Sequence, residues 1–381
     1  MRPEFVRRGF IRRASIAVAL TLGLAWLGVP APAGAQTVLD DPGTVVASSP
    51  MPSDGLPQGV ATGTYVTYWT TGPQDRPAPS TGAVLLPPGE PPAGGWPVIS
   101  WGHGAVGVAD KCAPTVTGQI VIPYLESFLQ QGYAIVATDY VGLGTPGIHP
   151  YLDGPSEGHS VIDMVRAGRA VTPSLSDRWV ALGHSQGGHA VLAAASIATR
   201  YAPELDFRGT VATGAPSNIE KLAPLTGPSF PALPLTGSTV FIAYALAGLR
   251  AANPDLDVDS YLSPLGRDVL GQIESLCYAD AQAQFSDLSI GQLLSRPLDG
   301  PEMQAALERS LAVPVTGYDR PLFIGHGIFD EMVPVVFTYA LTSELVAAGQ
   351  NFVFHTYPAT HVATMYAALP DVTEFVRSAL R

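Results

Sequence analysis

A serine between glycines, an acid and a histidine occur along this chain in an order that acyl-transfer chemistry uses. Ser185 sits in Gly183-His184-Ser185-Gln186-Gly187, after the apolar run Arg178-Trp179-Val180-Ala181-Leu182 and before the Ala-rich stretch from Gly188 to Tyr201. Strand, glycine-bracketed turn and small-residue helix together describe a nucleophile elbow, a strained turn that lifts a serine hydroxyl to the top of a sheet. Glycine is needed at 183 and 187 because side chains there would collide with the neighbouring strand and helix. The pentapeptide alone is a weak signal in a chain with 40 glycines among 381 residues. An ordinary strand-to-helix turn can carry it, so its partners must decide.

Those partners are Asp330, in His326-Gly327-Ile328-Phe329-Asp330-Glu331-Met332-Val333-Pro334, and His361, after the strand-like Phe352-Val353-Phe354-His355-Thr356-Tyr357. Nucleophile, acid and histidine in that order, each on a loop after a strand, is the arrangement of α/β-hydrolases. His361 is expected to take the serine proton and return it to the leaving group, while Asp330 fixes its tautomer. Glu331 is the alternative acid, because two carboxylates stand side by side. The oxyanion is expected to bind the amide of Gln186 and one from the loop Gly102-His103-Gly104-Ala105-Val106-Gly107. Ala105 is assigned as that second donor, with Gly104 as the alternate.

The other histidines have plainer expectations. His355 lies in a strand and His326 precedes the acid, so both are read as packing or supporting groups, and His184 and His189 as hydrogen-bonding residues around the elbow. No histidine pair at i, i+4 with an acid suggests zinc, and neither a metal nor a cofactor is expected.

The elements that must position these groups alternate along the chain. Gly63–Trp69 and Thr81–Leu86 read as an antiparallel pair, and Val98–Trp101, Tyr133–Asp139, the elbow strand, Gly209–Gly214, Pro321–Gly325 and Phe352–Tyr357 as further strands. Helical patterns fall near Val116–Gln131, Gly158–Thr172, the elbow helix and the segments after Pro334 and His361. On the Gly158–Thr172 helix Val161, Met164, Val165 and Gly168 share one face, with Asp163, Arg166 and Arg169 elsewhere. Apolar strands alternating with helices predict right-handed βαβ units and a mostly parallel sheet with helices on both faces. The hydrolase core is expected over 36–216 and 316–381. Residues 217–315 show no strand repeat, but helical stretches near Ser238–Ala252, Ser260–Leu276, Ile290–Ser295 and Glu302–Leu311, and are expected to form an inserted helical cap. From Gln36 to about Ser53 the prolines 42, 50 and 52 predict a surface arm without regular structure.

Residues 1–35 read as an export signal: Arg7, Arg8, Arg12 and Arg13 precede the 14-residue apolar run Ile16–Val29, and Ala33-Gly34-Ala35 offers a cleavage site. Arg7-Arg8-Gly9-Phe10-Ile11 is similar to a twin-arginine signal. The run is short of the roughly 20 residues needed to span a bilayer, so no membrane anchor is expected, and the protein is expected to be extracellular. The formal charge of the whole chain is −12, and without the signal 31 acidic side chains face 15 basic ones. Such a surface argues against nucleic acid or anionic headgroups as partners and is indifferent to a neutral ester. An exported chain meets oxidising conditions, and its two cysteines, Cys112 and Cys277, are expected to pair; two buried free thiols are the alternative.

One set of motifs is more specific than the elbow. Trp101-Gly102-His103-Gly104, Cys112-Ala113-Pro114, Asp139-Tyr140-x-Gly142-Leu143-Gly144-Thr145-Pro146, the elbow, Gly327-x-x-Asp330-x-x-Val333-Pro334 and His361 together resemble the secretory lipase family, of the bacterial secreted type. The resemblance implies an α/β-hydrolase with an inserted lid that cleaves lipid esters such as triacylglycerols, working at a lipid–water interface. On the residues alone, an acyltransferase or peptidase using the same triad, or a non-catalytic binding protein, are the competing readings.

Overall fold

The structure, a computed structural model, describes residues 40–120 and 122–381. The export signal read from residues 1–35 lies outside them. Nine strands form one sheet: β1 (Val45–Pro50), β2 (Thr62–Thr71), β3 (Pro77–Leu86), β4 (Trp96–Gly102), β5 (Ala134–Val141), β6 (Leu175–His184), β7 (Asp206–Thr213), β8 (Leu322–Gly327) and β9 (Val353–Tyr357). Their spatial order is β1-β2-β3-β5-β4-β6-β7-β8-β9. The pairings β1–β2, β2–β3 and β3–β5 are antiparallel, and every pairing from β5 across to β9 is parallel.

The helices are α1 (Pro114–Thr117), α2 (Pro123–Leu129), α3 (Gly154–Val171), α4 (Gln186–Tyr201), α5 (Ile219–Leu222), α6 (Ser238–Ala252), α7 (Pro264–Ile273), α8 (Tyr278–Phe285), α9 (Ile290–Leu293), α10 (Pro301–Leu311), α11 (Val335–Ala347) and α12 (His361–Ala379). Both faces of the central strands are covered, which is why these strands read as continuous apolar runs. Successive residues alternate between two cores: Val98, Ala134 and Val136 pack with α3 and α4, while Ile99, Ile135 and Ala137 pack with α2 and α12. A third core belongs to the segment between β7 and β8, where Val240, Tyr244, Leu270, Leu293 and Leu307 are buried among themselves.

Several elements differ from the sequence-based expectation. Val45–Pro50 is an edge strand rather than an arm, because its amides pair with β2 up to Pro50, where the strand ends. The helix expected over Val116–Gln131 is two: Gly118 adopts a left-handed conformation (φ 74°) that ends α1, and α2 restarts at Pro123. Asp163, read as lying off the apolar face, is fully buried, with Thr70, Arg166 and Tyr201 all donating to its carboxylate. Helices α5 and α8 were not anticipated. Among the described residues no helix is long and apolar enough to cross a membrane.

Candidate active site

Strand β6 ends at His184 and α4 begins at Gln186, so Ser185 is the single residue on which the chain reverses. Its backbone lies at φ 57°, ψ −123°, a conformation that L-residues avoid at a cost of about 1–3 kcal/mol. The surroundings enforce it. A Cβ at Gly183 would lie 2.1 Å from the Gly187 carbonyl oxygen, and one at Gly187 would lie 1.8 Å from that of Gly102, so only glycine lets helix and strands approach this closely. The Ser185 N–H donates to the Thr213 carbonyl at 2.9 Å, tying the turn to β7.

Asp330 follows β8 and accepts at both oxygens. Its Oδ1 takes the main-chain N–H groups of Met332 (3.0 Å) and Val333 (2.7 Å), and its Oδ2 takes His361 Nδ1–H at 2.6 Å. His326 Nε2 lies 3.2 Å from the same Oδ2 and 2.9 Å from the Val333 carbonyl, while its Nδ1 is 2.8 Å from the Thr338 hydroxyl. Burial alone would raise the Asp330 pKa, but the hydrogen bonds from His326 and His361 hold it well below the ordinary carboxylate range. An ionised Asp330 on Nδ1 leaves the His361 lone pair on Nε2, the tautomer a general base needs. Glu331 is engaged elsewhere: its Oε2 accepts the main-chain N–H of His361 at 3.1 Å, at the start of α12. His361 itself is buried.

Two supporting histidines escaped a definite role in the sequence. His326 shares the acid, as above. The His184 ring lies 4.6 Å from the His361 ring, with Nδ1 3.0 Å from the Thr213 hydroxyl. Burial, reinforced by the neighbouring His361, pushes its pKa well below the usual imidazole value, so His184 is a neutral wall beside His361. The spacing Gly-His-Ser was the only sign of this.

The loop from Gly102 to Gly107 lies against the elbow: a Cβ at Gly104 would be 3.6 Å from that of Ser185. Tyr140 of the Asp-Tyr-x-Gly segment ties it to β5. Tyr140 donates its hydroxyl hydrogen to the His103 carbonyl at 3.1 Å, and Asp139 accepts from Thr81 Oγ1 (2.7 Å) and from the main chain of Thr115 (3.1 Å). Among the described residues, the amides of Ala105 and Gln186 donate to no backbone carbonyl, which leaves both N–H groups open to a developing negative charge.

Ser185 borders two cavities. One, of about 160 Å³, is apolar and runs beneath the segment between β7 and β8, with Phe230, Leu233, Ile242, Ile290 and Leu298 in its walls. The other, of about 420 Å³, is walled by Trp101, Ala105, His184, Tyr278, His361 and Met365. Phe241 and Met332 border both, and Phe241 stacks on Tyr278 with ring centroids 5.2 Å apart. Cys112 and Cys277 form a disulfide. Beside it Tyr278 donates its N–H to the Val106 carbonyl at 2.9 Å, so the helical segment is stitched to the loop that carries Ala105.

Residues 109–378 match the sequence model of the secretory lipase family. The chain is 28% identical to a lipase A of Moesziomyces aphidis, over 88% of this chain and 76% of that one. It is 25% identical to a probable inactive lipase of Mycobacterium tuberculosis, over 85% of this chain and 74% of the relative. The closed-state structure of Candida antarctica lipase A superposes with a TM-score of 0.75 at 25% identity, covering 89% of this chain and 82% of that one.

Proposed function

Because this chain belongs to the secretory lipase family, we propose that it is a secreted serine hydrolase that cleaves lipid or other acyl esters through an acyl-serine intermediate. The observation that carries this reading is the buried 2.6 Å bond between Asp330 and His361 Nδ1, at a site whose serine is held in a strained elbow. Ser185 Oγ attacks the acyl carbon as its proton passes to His361 Nε2, and the carbonyl oxygen becomes an oxyanion held by the amides of Gln186 and Ala105. The bond to the alcohol oxygen then breaks as His361 returns the proton to it. Water then attacks the acyl carbon as its proton passes to His361, and the bond to Ser185 Oγ breaks as His361 returns that proton to it, releasing the acid. The apolar cavity suits the acyl chain, and the cavity beside His361, where the proton is returned, suits the alcohol.

Residues 217–315 act in this reading as a cap that walls the acyl cavity, while 36–216 and 316–381 form the hydrolase core. Residues 1–35 direct export, through the twin-arginine route if Arg7 and Arg8 are read as such. One relative bears the name of a probable inactive lipase, so activity must be measured on this chain. Ser185→Ala is expected to lower kcat on a nitrophenyl ester about a millionfold, the loss seen when a triad nucleophile is removed. Substantial turnover remaining in that variant, or a native protein that no fluorophosphonate labels, would overturn the reading; failure to label would favour a non-catalytic binding protein.

A further inference from the structure

Beneath the elbow lies a second cluster of polar side chains that the reaction just described does not use. Glu157 on α3, His149 on the loop after β5, and Gln186 and His189 on α4 are all buried. Glu157 Oε1 accepts the Leu152 N–H at 2.9 Å and the Gln186 Nε2–H at 2.7 Å. The second hydrogen on Gln186 Nε2 points to His149 Nε2, also at 2.7 Å, and His149 Nδ1–H is given to the Val141 carbonyl at 2.8 Å. These bonds fix the amide orientation. Turned over, Gln186 would set its oxygen against a carboxylate oxygen and an imidazole lone pair.

The far side of Glu157 is paired as well. Its Oε2 and His189 Nδ1 have no other partner and lie 3.6 Å apart, while His189 Nε2 is 3.1 Å from the Leu311 carbonyl at the end of α10. His189 thus turns Nδ1 toward the Glu157 carboxylate while its Nε2 faces the Leu311 carbonyl. Burial opposes charge on Glu157, but the flanking His149 and His189 hold its pKa down at about 2. Asp153, the other buried acid nearby, is occupied by the Ser310 hydroxyl at 2.7 Å.

A buried ionic network of this kind is rarely the most stabilising choice, since well-packed apolar side chains of similar volume do as well or better. Here it grips the residue that follows the nucleophile. Gln186 has its side chain locked on one side of α4 and its main-chain N–H open at the helix start, beside Ser185. We propose that Glu157 is a positioning residue for ester cleavage, whose carboxylate clamps the Gln186 side chain and so keeps the Gln186 N–H aimed at the oxyanion. This rests on the serine-hydrolase reading above.

The test compares wild type, Glu157→Gln and Gln186→Met on a short-chain nitrophenyl ester, with kcat expressed per site titrated by a fluorophosphonate. Gln186→Met keeps the main-chain N–H and the side-chain bulk while removing both clamping bonds, and it stands in should Glu157→Gln not fold. Each is expected to lose about 100-fold in kcat at unchanged KM, the scale of one misaligned oxyanion donor. A merely structural role would lower the melting temperature and the fraction of titratable sites while leaving kcat per site intact. Turnover per site within about threefold of wild type in the folded variants overturns the proposal, being far below the cost of a lost donor. A wild type that turns over no ester overturns the serine-hydrolase reading and this proposal with it.

Discussion

Adjacent carboxylates at 330 and 331 differ in role because the loop after β8 turns one toward a ring nitrogen and the other toward a main-chain amide. Asp330 reaches His361 Nδ1, and Glu331 reaches the His361 N–H. Asp330→Asn removes the charge that sets the His361 tautomer and is expected to reduce kcat by about 10⁴-fold, as in other triads. Glu331→Gln leaves the ring untouched and is expected to change kcat by less than about 10-fold, since a neutral amide oxygen still accepts the helix N–H. Steady-state rates of the two variants check this, and a larger loss in Glu331→Gln than in Asp330→Asn would reverse the assignment. Ser185, the acid pair and His361 were legible in the sequence because each follows an apolar strand in a fixed order. Choosing between the two acids was not, because side-chain direction depends on loop dihedrals that composition does not encode. Glu157 left no trace either: it precedes the helix read from Gly158 to Thr172, and a buried carboxylate is indistinguishable from a solvated one until its partners on α4 are in place.

Among the elements, those whose periodicity reflects two-sided burial were readable and those defined by a neighbour were not. The strands from β4 to β8 announce themselves as apolar runs, whereas β1, with five of its six residues exposed, exists only because β2 offers it amides and carbonyls. The segment between β7 and β8 was legible as helical because its apolar residues recur at helical spacing with no strand repeat, though α8 was hidden. Helix α8 begins immediately after Cys277, so the disulfide and the Tyr278–Val106 bond fix its position against the loop that carries Ala105. The closed loop spans 165 residues, and in the chain-entropy model its removal costs about 5 kcal/mol at most. Cys112→Ala combined with Cys277→Ala is therefore expected to lower the denaturant midpoint by a corresponding amount. It is also expected to lower kcat, since Val106 adjoins Ala105. A double variant with unchanged stability and unchanged rate would show that neither the tether nor the loop depends on the bond.

At the scale of the whole molecule, charge and apolar exposure oppose one another at a lipid surface. Phe329 and Ile328, just before the acid, and Val362, just after His361, are exposed at 62%, 43% and 51%. Apolar side chains beside the proposed active site favour contact with an uncharged lipid interface through burial worth roughly 25 cal/mol per Å². The excess of 31 acidic over 15 basic side chains after residue 35 repels anionic headgroups over a distance set by ionic strength, about 30 Å at 0.01 M and 3 Å at 1 M. Repulsion thus dominates the approach at low salt, and the short-range apolar contact dominates at high salt. Hydrolysis of a short-chain triglyceride emulsion coated with zwitterionic phospholipid is expected to exceed that of one coated with anionic phospholipid at about 0.01 M salt, with the gap closing toward 1 M. Initial rates on the two emulsions across a salt series measure it directly. Faster hydrolysis on the anionic surface at low salt would mean that a local basic patch, rather than the net charge, governs the encounter.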